Sequence, residues 1–328
     1  MSVSESLPVG PLISVVMTTY NGERFLVDQM ESVLRQSCAD FELIIADDGS
    51  CDGTVDILAG FAKRDSRIRF HVNAENLGIN RNVSEALALA RGRYIAIADQ
   101  DDIWEPNKLE VLLSHIGQHS AVYSDSELID DTGRPLGMTM LERLGMTPAT
   151  GHAALLLLRK NCVSGHALMF KRSLLDIMLP LEHSPLFDQQ IGITAMLNEG
   201  LHFVNQSLVR HRLHGGNLTK SQLFKKPRER SSKAEQHSHR RAEFMRTLSF
   251  FLSHIERNKS HYAGKKSVAS LLVKTRLLME RLRQGDHTWF DPRLFWLMLR
   301  IRNEFFYENE SRKFKRCLSF AKGALYYR

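Results

Sequence analysis

Residues 13–98 alternate short apolar runs with stretches of helical periodicity, and that alternation restricts the fold more than any other feature of the chain. Residues 13–17, 41–46, 67–72 and 93–98 read as strands. Between them, 23–36, 54–64 and 80–90 read as helices, the first with Phe25, Leu26, Met30, Val33 and Leu34 at helical spacing. A βαβαβαβ order requires a mostly parallel sheet with right-handed crossovers, because parallel neighbours are joined only by a connection long enough to hold a helix. Runs such as Tyr94-Ile95-Ala96-Ile97-Ala98 are apolar throughout, the pattern of a strand covered on both faces.

Three of these strands stop at polar clusters: Thr18-Thr19-Tyr20-Asn21, Asp47-Asp48-Gly49-Ser50 and Asp99-Gln100-Asp101-Asp102. The carboxyl ends of parallel strands are where open α/β sheets bind ligands, so these clusters converge in space. Carboxylates as crowded as Asp99, Asp101 and Asp102 repel one another, and Mg²⁺ or Mn²⁺ shared with water and substrate phosphates would offset that charge. The plainer alternative is a solvated acidic turn before the next helix, with Pro106 near its start. The chain has neither GxGxxG after its first strand nor GxxxxGK[ST], so a bound diphosphate would be held by metal, not by a glycine loop.

Beyond Trp104 the pattern loosens. Residues 108–117 read as a helix and 121–124 as a short strand; 130–150, rich in Gly, Pro and Met, read as a loop or flap. A further strand of a mixed sheet is expected over 163–170, a helix over 187–198 and a last strand over 203–209, which runs into Arg210-His211-Arg212-Leu213-His214-Gly215-Gly216-Asn217. Residues 219–239 read as a basic linker or lid and 240–328 as a basic helical region, leaving 1–218 as the main domain.

As an ordered set these motifs resemble the family 2 glycosyltransferases. The resemblance rests on Ile13–Gly22, Ser32-Val33-Leu34-Arg35-Gln36, Phe41–Ser50, Asn76-Leu77-Gly78 and Ala98-Asp99-Gln100-Asp101-Asp102-Ile103-Trp104. With Phe187-Asp188 and the His211–Asn217 run, the chain looks most like the rhamnosyltransferase-type branch, over roughly residues 12–217. The resemblance implies a GT-A nucleotide-sugar fold, an inverting reaction and a divalent cation. It also implies roles residue by residue. Asp48 would accept the base N3–H, Thr18 and Tyr20 would line base and ribose, and Asn76, Gly78 and Arg81 fall within the nucleotide site. Asp99 would face ribose and phosphate. Asp101 would be the principal metal ligand, with Asp99, and His214 would complete the metal or diphosphate site, a solvated loop histidine being the alternative. Asp102 would ligate metal or orient sugar hydroxyls, and Trp104 would wall the donor sugar or sit in the core. Gly165 and His166 fall where acceptors approach.

Inversion requires a base opposite the leaving group. The matching family position is Asp188, for which a helix N-cap is the alternative role. Where the family often continues with His and aromatic residues, this chain has Gln189-Gln190, which leaves the acceptor pocket open.

Charge divides the chain. Residues 220–328 carry 26 Lys and Arg against 10 Asp and Glu, whereas the first 219 carry 18 against 27. With Trp289, Phe290, Trp296 and Tyr307 among its aromatics, the basic tail fits peripheral contact with an anionic inner leaflet carrying a lipid-linked glycan acceptor. It equally fits packing on the main domain or on a second copy in a homodimer. Nucleic acid is not expected, because no binding motif accompanies the charge. Cys38, Cys51, Cys162 and Cys317 have no metal spacing, the N-terminus lacks a secretory pattern, and no apolar run approaches the roughly 18 residues of a membrane span. A cytoplasmic location follows as the expectation.

The reading is therefore an enzyme: a metal-dependent transferase moving rhamnose from dTDP-rhamnose, or a hexose or amino sugar from UDP, to a cell-surface glycan. A nucleotidyltransferase would need a basic glycine-rich loop where Thr19-Tyr20-Asn21-Gly22-Glu23 stands, and a glycosidase pair does not need a nucleotide-site layout. A non-catalytic nucleotide-sugar scaffold is the remaining rival.

Overall fold

The computed structural model describes residues 10–181, 186–216, 233–284, 296–301, 313 and 317. Its first half follows the expected alternation: β1 (Ile13–Thr19), α1 (Glu23–Leu34), β2 (Phe41–Asp47), α2 (Thr54–Ala62), β3 (Ile68–Val72), α3 (Ile79–Ala88) and β4 (Tyr94–Ala98). Strands β3, β2, β1 and β4 lie side by side and parallel. The chain then adds β5 (Ile103–Trp104), α4 (Lys108–Ile116), β6 (Ala121–Ile129), β7 (Pro135–Thr139), α5 (Met140–Leu144), α6 (Ala154–Arg159), β8 (Leu168–Lys171), α7 (Leu175–Met178), α8 (Phe187–Leu197) and β9 (Leu201–Arg212). All nine strands form one sheet, ordered β3-β2-β1-β4-β8-β6-β9-β5, with β7 paired to β6. It is mixed, since β8 runs antiparallel to both β4 and β6.

The continuous apolar runs are buried on both faces, as expected. Val15, Met17, Leu43 and Ile45 pack under Leu26, Met30, Leu58 and Leu112 on the α1, α2 and α4 side. Their neighbours Val16, Ile44, Ile95 and Ile97 join Val83, Leu87, Leu155 and Ile191 on the α3, α6 and α8 side.

Three expectations change. The strand expected over 121–124 extends to Ile129, because Ser124 and Ser126 are interior residues despite being polar. The segment expected as a flap, 130–150, is a hairpin strand and a short helix. Asp130 closes the β6–β7 turn by accepting from Thr132 N and Arg134 N, and Thr139 with Glu142 forms a capping box on α5. In 163–170 only the end is strand; Gly165–Ala167 is a 3₁₀ turn.

The basic region contributes α9 (Lys233–Arg257) and α10 (Lys266–Gln284), which bury Phe244, Leu248, Phe251, Leu271 and Leu278 in the core cluster that contains α6 and α8. The linker read at 219–239 falls mostly on 217–232, outside the described residues, as do the N-terminal nine residues and most of the aromatic tail. Among the described residues no helix is long and apolar enough to cross a membrane.

The seam between α9 and α8 contains His254, whose Nε2 lies 3.4 Å from Thr194 Oγ1. Burial, with Arg257 nearby, pushes its pKa down to about 4. A folded value below the ordinary 6.5 means that this seam is fully stable above pH 6.5 and weakens as pH falls toward 4. Wild-type protein is expected to lose about 3 kcal/mol over that interval through this group. His254→Leu should lose correspondingly less, read as melting temperature at pH 7.5 and pH 5; equal losses in both proteins would refute the assignment.

Candidate active site

The ends of β1 and β2 are tied together before any ligand is considered. Asp47 is fully buried; its carboxylate accepts from Thr19 Oγ1 at 2.7 Å and from Ser50 N at 2.8 Å. The next residue, Asp48, points into the cleft between β2 and the start of α3. Its Oδ1 accepts from Leu77 N at 2.8 Å and Asn73 Nδ2 at 3.0 Å, and its Oδ2 from Gly78 N at 2.9 Å. Gly78 reaches that oxygen by turning through φ 76°, a region costly for residues with a Cβ. Asp48 Oδ2 keeps a lone pair for a further donor. Asn76 backs the same loop through its Nδ2 to Asp48 O, and Tyr20 is 48% exposed at the rim beyond Thr18. Arg81 is turned to Glu85 one helical turn on, at 3.2 Å.

The residues after β4 split into two layers. Gln100 reaches back to β1: its Oε1 accepts from Tyr20 N at 2.8 Å and its Nε2 donates to Tyr20 O at 3.1 Å. Asp99 stays partly exposed. Asp101 meets His214, just past the end of β9, with Oδ2 and Nε2 2.7 Å apart. Burial and the charges of Asp102 and Asp99 push the Asp101 carboxyl up, against the hydrogen bond with His214. That crowding is what a divalent cation relieves, so Asp99, Asp101 and His214 fit a Mg²⁺ or Mn²⁺ site by charge and donor type.

Asp102 belongs to the inner layer. It is fully buried, and its Oδ1 accepts from His211 Nδ1 at 2.9 Å and Arg212 N at 3.1 Å. Burial alone would raise its pKa, but His211 and Arg212 hold it at about 2. Burial likewise disfavours a charged His211, yet the Asp102 carboxylate lifts it to about 9. The His211 ring stacks on His166 with centroids 4.5 Å apart, and His166 Nε2 meets Ser126 Oγ at 2.8 Å. Asp99, Asp102, His166 and His211 thus offer ligand atoms within 4.8 Å of one another. Among the described residues this inner group is the one whose ligand atoms the fold gathers, whereas the expected Asp99, Asp101 and His214 are not gathered as closely; a cation there would compete with the proton on His211.

Asp188 is at the first turn of α8, where burial above all raises its pKa to about 6; the charge of Asp99 pushes the same way, while the N–H groups of Gln189 and Gly165 and the charge of His166 pull against it. Its Oδ1 accepts from Gln189 N at 2.6 Å and Asn161 Nδ2 at 2.9 Å. A part-buried carboxyl whose pKa lies near neutrality can exchange a proton there, the property that a general base needs.

Residues 14–178, half of the chain, match the profile of Glycosyl transferase family 2. The chain belongs to that family. Within it, the chain is 41% identical over 128 residues to TuaG of Bacillus subtilis (strain 168), a glycosyltransferase named for teichuronic acid biosynthesis, covering 38% of this chain and 51% of TuaG. It is 38% identical over 122 residues to WfgD of Escherichia coli, named as a UDP-Glc:α-D-GlcNAc-diphosphoundecaprenol β-1,3-glucosyltransferase, covering 37% of this chain and 47% of WfgD. The matched stretches span about half the length of these relatives. The fold superposes on S. aureus TarS 1–349, crystallised with UDP-GlcNAc, with a TM-score of 0.57 at 18% identity, over 95% of this chain and 88% of that one. The mixed sheet with its covering helices is therefore the nucleotide-sugar transferase fold expected of family 2.

Three of the expected sugar contacts, Asp102, Trp104 and Gly165, are buried. Asp102 is sealed in its pair with His211. Trp104 is 1% exposed, its indole covered by Lys108 Nζ 3.3 Å from the ring centroid. Gly165 is small for packing reasons, since a Cβ there would meet the Phe187 ring at 2.8 Å. His166 is buried at the back of the cleft. Arg212 is spent on Asp101 O, Asp28 and the face of Phe25. Sequence reasoning missed Lys108, which is fully buried, driven by that burial well below the usual lysine range, and donates to His166 O. It also missed Asn73 and Asn161; a charged or amide residue one turn into an ordinary helix or loop carries no local signal of such a role.

Proposed function

We propose that this chain is a metal-dependent inverting glycosyltransferase that moves a sugar from a pyrimidine nucleoside diphosphate to a glycan or lipid-linked glycan acceptor in bacterial cell-surface polysaccharide assembly. The observation that carries the reading is that Asp48 and the Asp99–Asp101 pair stand at the carboxyl ends of β2 and β4, on either side of β1, with the charge of Asp99 bearing on Asp188. Asp48 keeps an acceptor for a base N3–H. A cation held by Asp99, Asp101 and His214 would supply Lewis-acid stabilisation of the departing diphosphate. Asp188 takes the acceptor hydroxyl proton as that oxygen bonds to the anomeric carbon. The bond to the diphosphate breaks on the opposite side, and its electron pair leaves with the phosphate.

The donor sugar is rhamnose from dTDP-rhamnose on the motif pattern of the DQDDIW stretch; the similarity to WfgD, a UDP-glucose-dependent glucosyltransferase by name, makes UDP-glucose the second reading. The basic C-terminal helices expose Val273 and Leu277 on one face of α10 beside Arg276, which supports contact with an anionic membrane surface where a lipid-linked acceptor sits.

A panel of dTDP-, UDP- and GDP-sugars, each with and without Mn²⁺, tests the reading by thermal shift and donor hydrolysis. A Mn²⁺-dependent response to dTDP- or UDP-sugars, and none to GDP-sugars, is expected. Silence across the panel would sink the catalytic reading.

A further inference from the structure

The segment between α6 and the 3₁₀ turn holds an amide whose role the motifs do not assign. Asn161 Nδ2 donates to Val163 O and to Asp188 Oδ1, each at 2.9 Å, and Asn161 Oδ1 accepts from Val163 N at 3.1 Å. The flipped amide would set oxygen against a carbonyl and a carboxylate and nitrogen against an N–H. The network therefore admits one orientation, with the donor toward Asp188. Gln189 N fills Asp188 Oδ1 from the other side at 2.6 Å, so two donors from different elements fix the rotation of the carboxylate.

We propose that Asn161 is a positioning residue for the transfer reaction: its amide holds Oδ1 of Asp188 and so fixes the rotation from which the carboxylate takes the acceptor proton. This rests on the reading of Asp188 as the base. The charges bearing on Asp188 are those of Asp99 and His166 across the cleft, and Lys160 is turned away to Leu144 O. Asn161 is thus the side chain that reaches the carboxylate by a neutral donor, which steadies the ionised form without competing for the proton.

The test is the pH dependence of kcat in Asn161→Ala and Asn161→Asp. Asn161→Ala should lower kcat about tenfold, the order expected for a lost hydrogen bond to a charged group. The limb on which activity rises with pH should shift up by about one unit, with KM for the nucleotide donor unchanged. Asn161→Asp is isosteric and keeps the acceptor for Val163 N, but sets a second carboxylate against Asp188. Its limb should move further up than that of the Ala variant, and it carries the test should the Ala variant fail to fold. A fall in kcat with an unmoved limb in both variants, or wild-type kinetics in Asn161→Asp, would overturn the proposal and leave Asn161 a turn residue. Wild-type turnover in Asp188→Asn would instead overturn the base reading itself, and this proposal with it.

Discussion

Asp188→Asn is expected to cut turnover by about 10²–10⁴-fold, the range a positioned general base contributes, while leaving nucleotide-sugar affinity intact. The amide keeps the volume at the head of α8, and its single oxygen can still accept from Gln189 N and Asn161 Nδ2, so the fold is not the casualty. What disappears is a group able to take a proton near neutrality. Burial holds the wild-type carboxyl at a pKa of about 6, hence wild-type kcat should rise through pH 6 and level above it. The residual activity of the variant should lack that limb. Single-turnover transfer with the productive donor, measured from pH 5 to pH 8.5, decides the matter. A variant within an order of magnitude of wild type, still showing the limb, would mean that the proton is taken elsewhere and Asp188 is a helix-terminal residue.

The parts of this site that could be read from sequence are those set by local pattern. β1, β2 and β4 announce themselves by runs with no polar break, and strand ends in parallel sheets are ligand positions by topology. Asp48, Asp99 and Asp101 could therefore be placed from the order of elements. The parts that could not be read depend on partners far along the chain. Asp102 stands next to Asp101, yet its environment is set by His211, 109 residues later, on a strand whose alternation turns that ring inward. Trp104 was equally consistent with wall or core until Lys108 covered its face. The length of β6 was hidden because Ser124 and Ser126 are buried polar residues, and Ser126 is needed there by His166. In each case burial of a polar group is permitted only by a long-range partner, and residue type alone does not report the partner.

That inner layer supports the largest expected effect on stability. Asp102→Ala should destabilise the protein by about 3 kcal/mol or more, because truncating one member of a buried ion pair leaves the other charge uncompensated. Here two buried basic groups depend on it. His211 loses its 2.9 Å partner, and the buried Lys108 loses the stronger of the two carboxylate charges that oppose its desolvation. Arg212 N also loses its acceptor, which leaves the end of β9 tied to the loop carrying Asp101 only through Arg212 Nε and His214. Asp102→Asn keeps an acceptor for Arg212 N and should fall between the two. The double replacement Asp102→Leu with His211→Leu should recover stability relative to Asp102→Ala, since no imidazolium is left unpaired and apolar volume fills the gap. It should not recover transfer activity if the pair also sets the distance between Asp101 and His214. Urea midpoints of the four proteins, with turnover measured alongside, separate these outcomes. Were Asp102→Ala as stable as wild type, the pair would be a passenger of the Asp101 loop, whose geometry would be held by Gln100, Arg212 and His214.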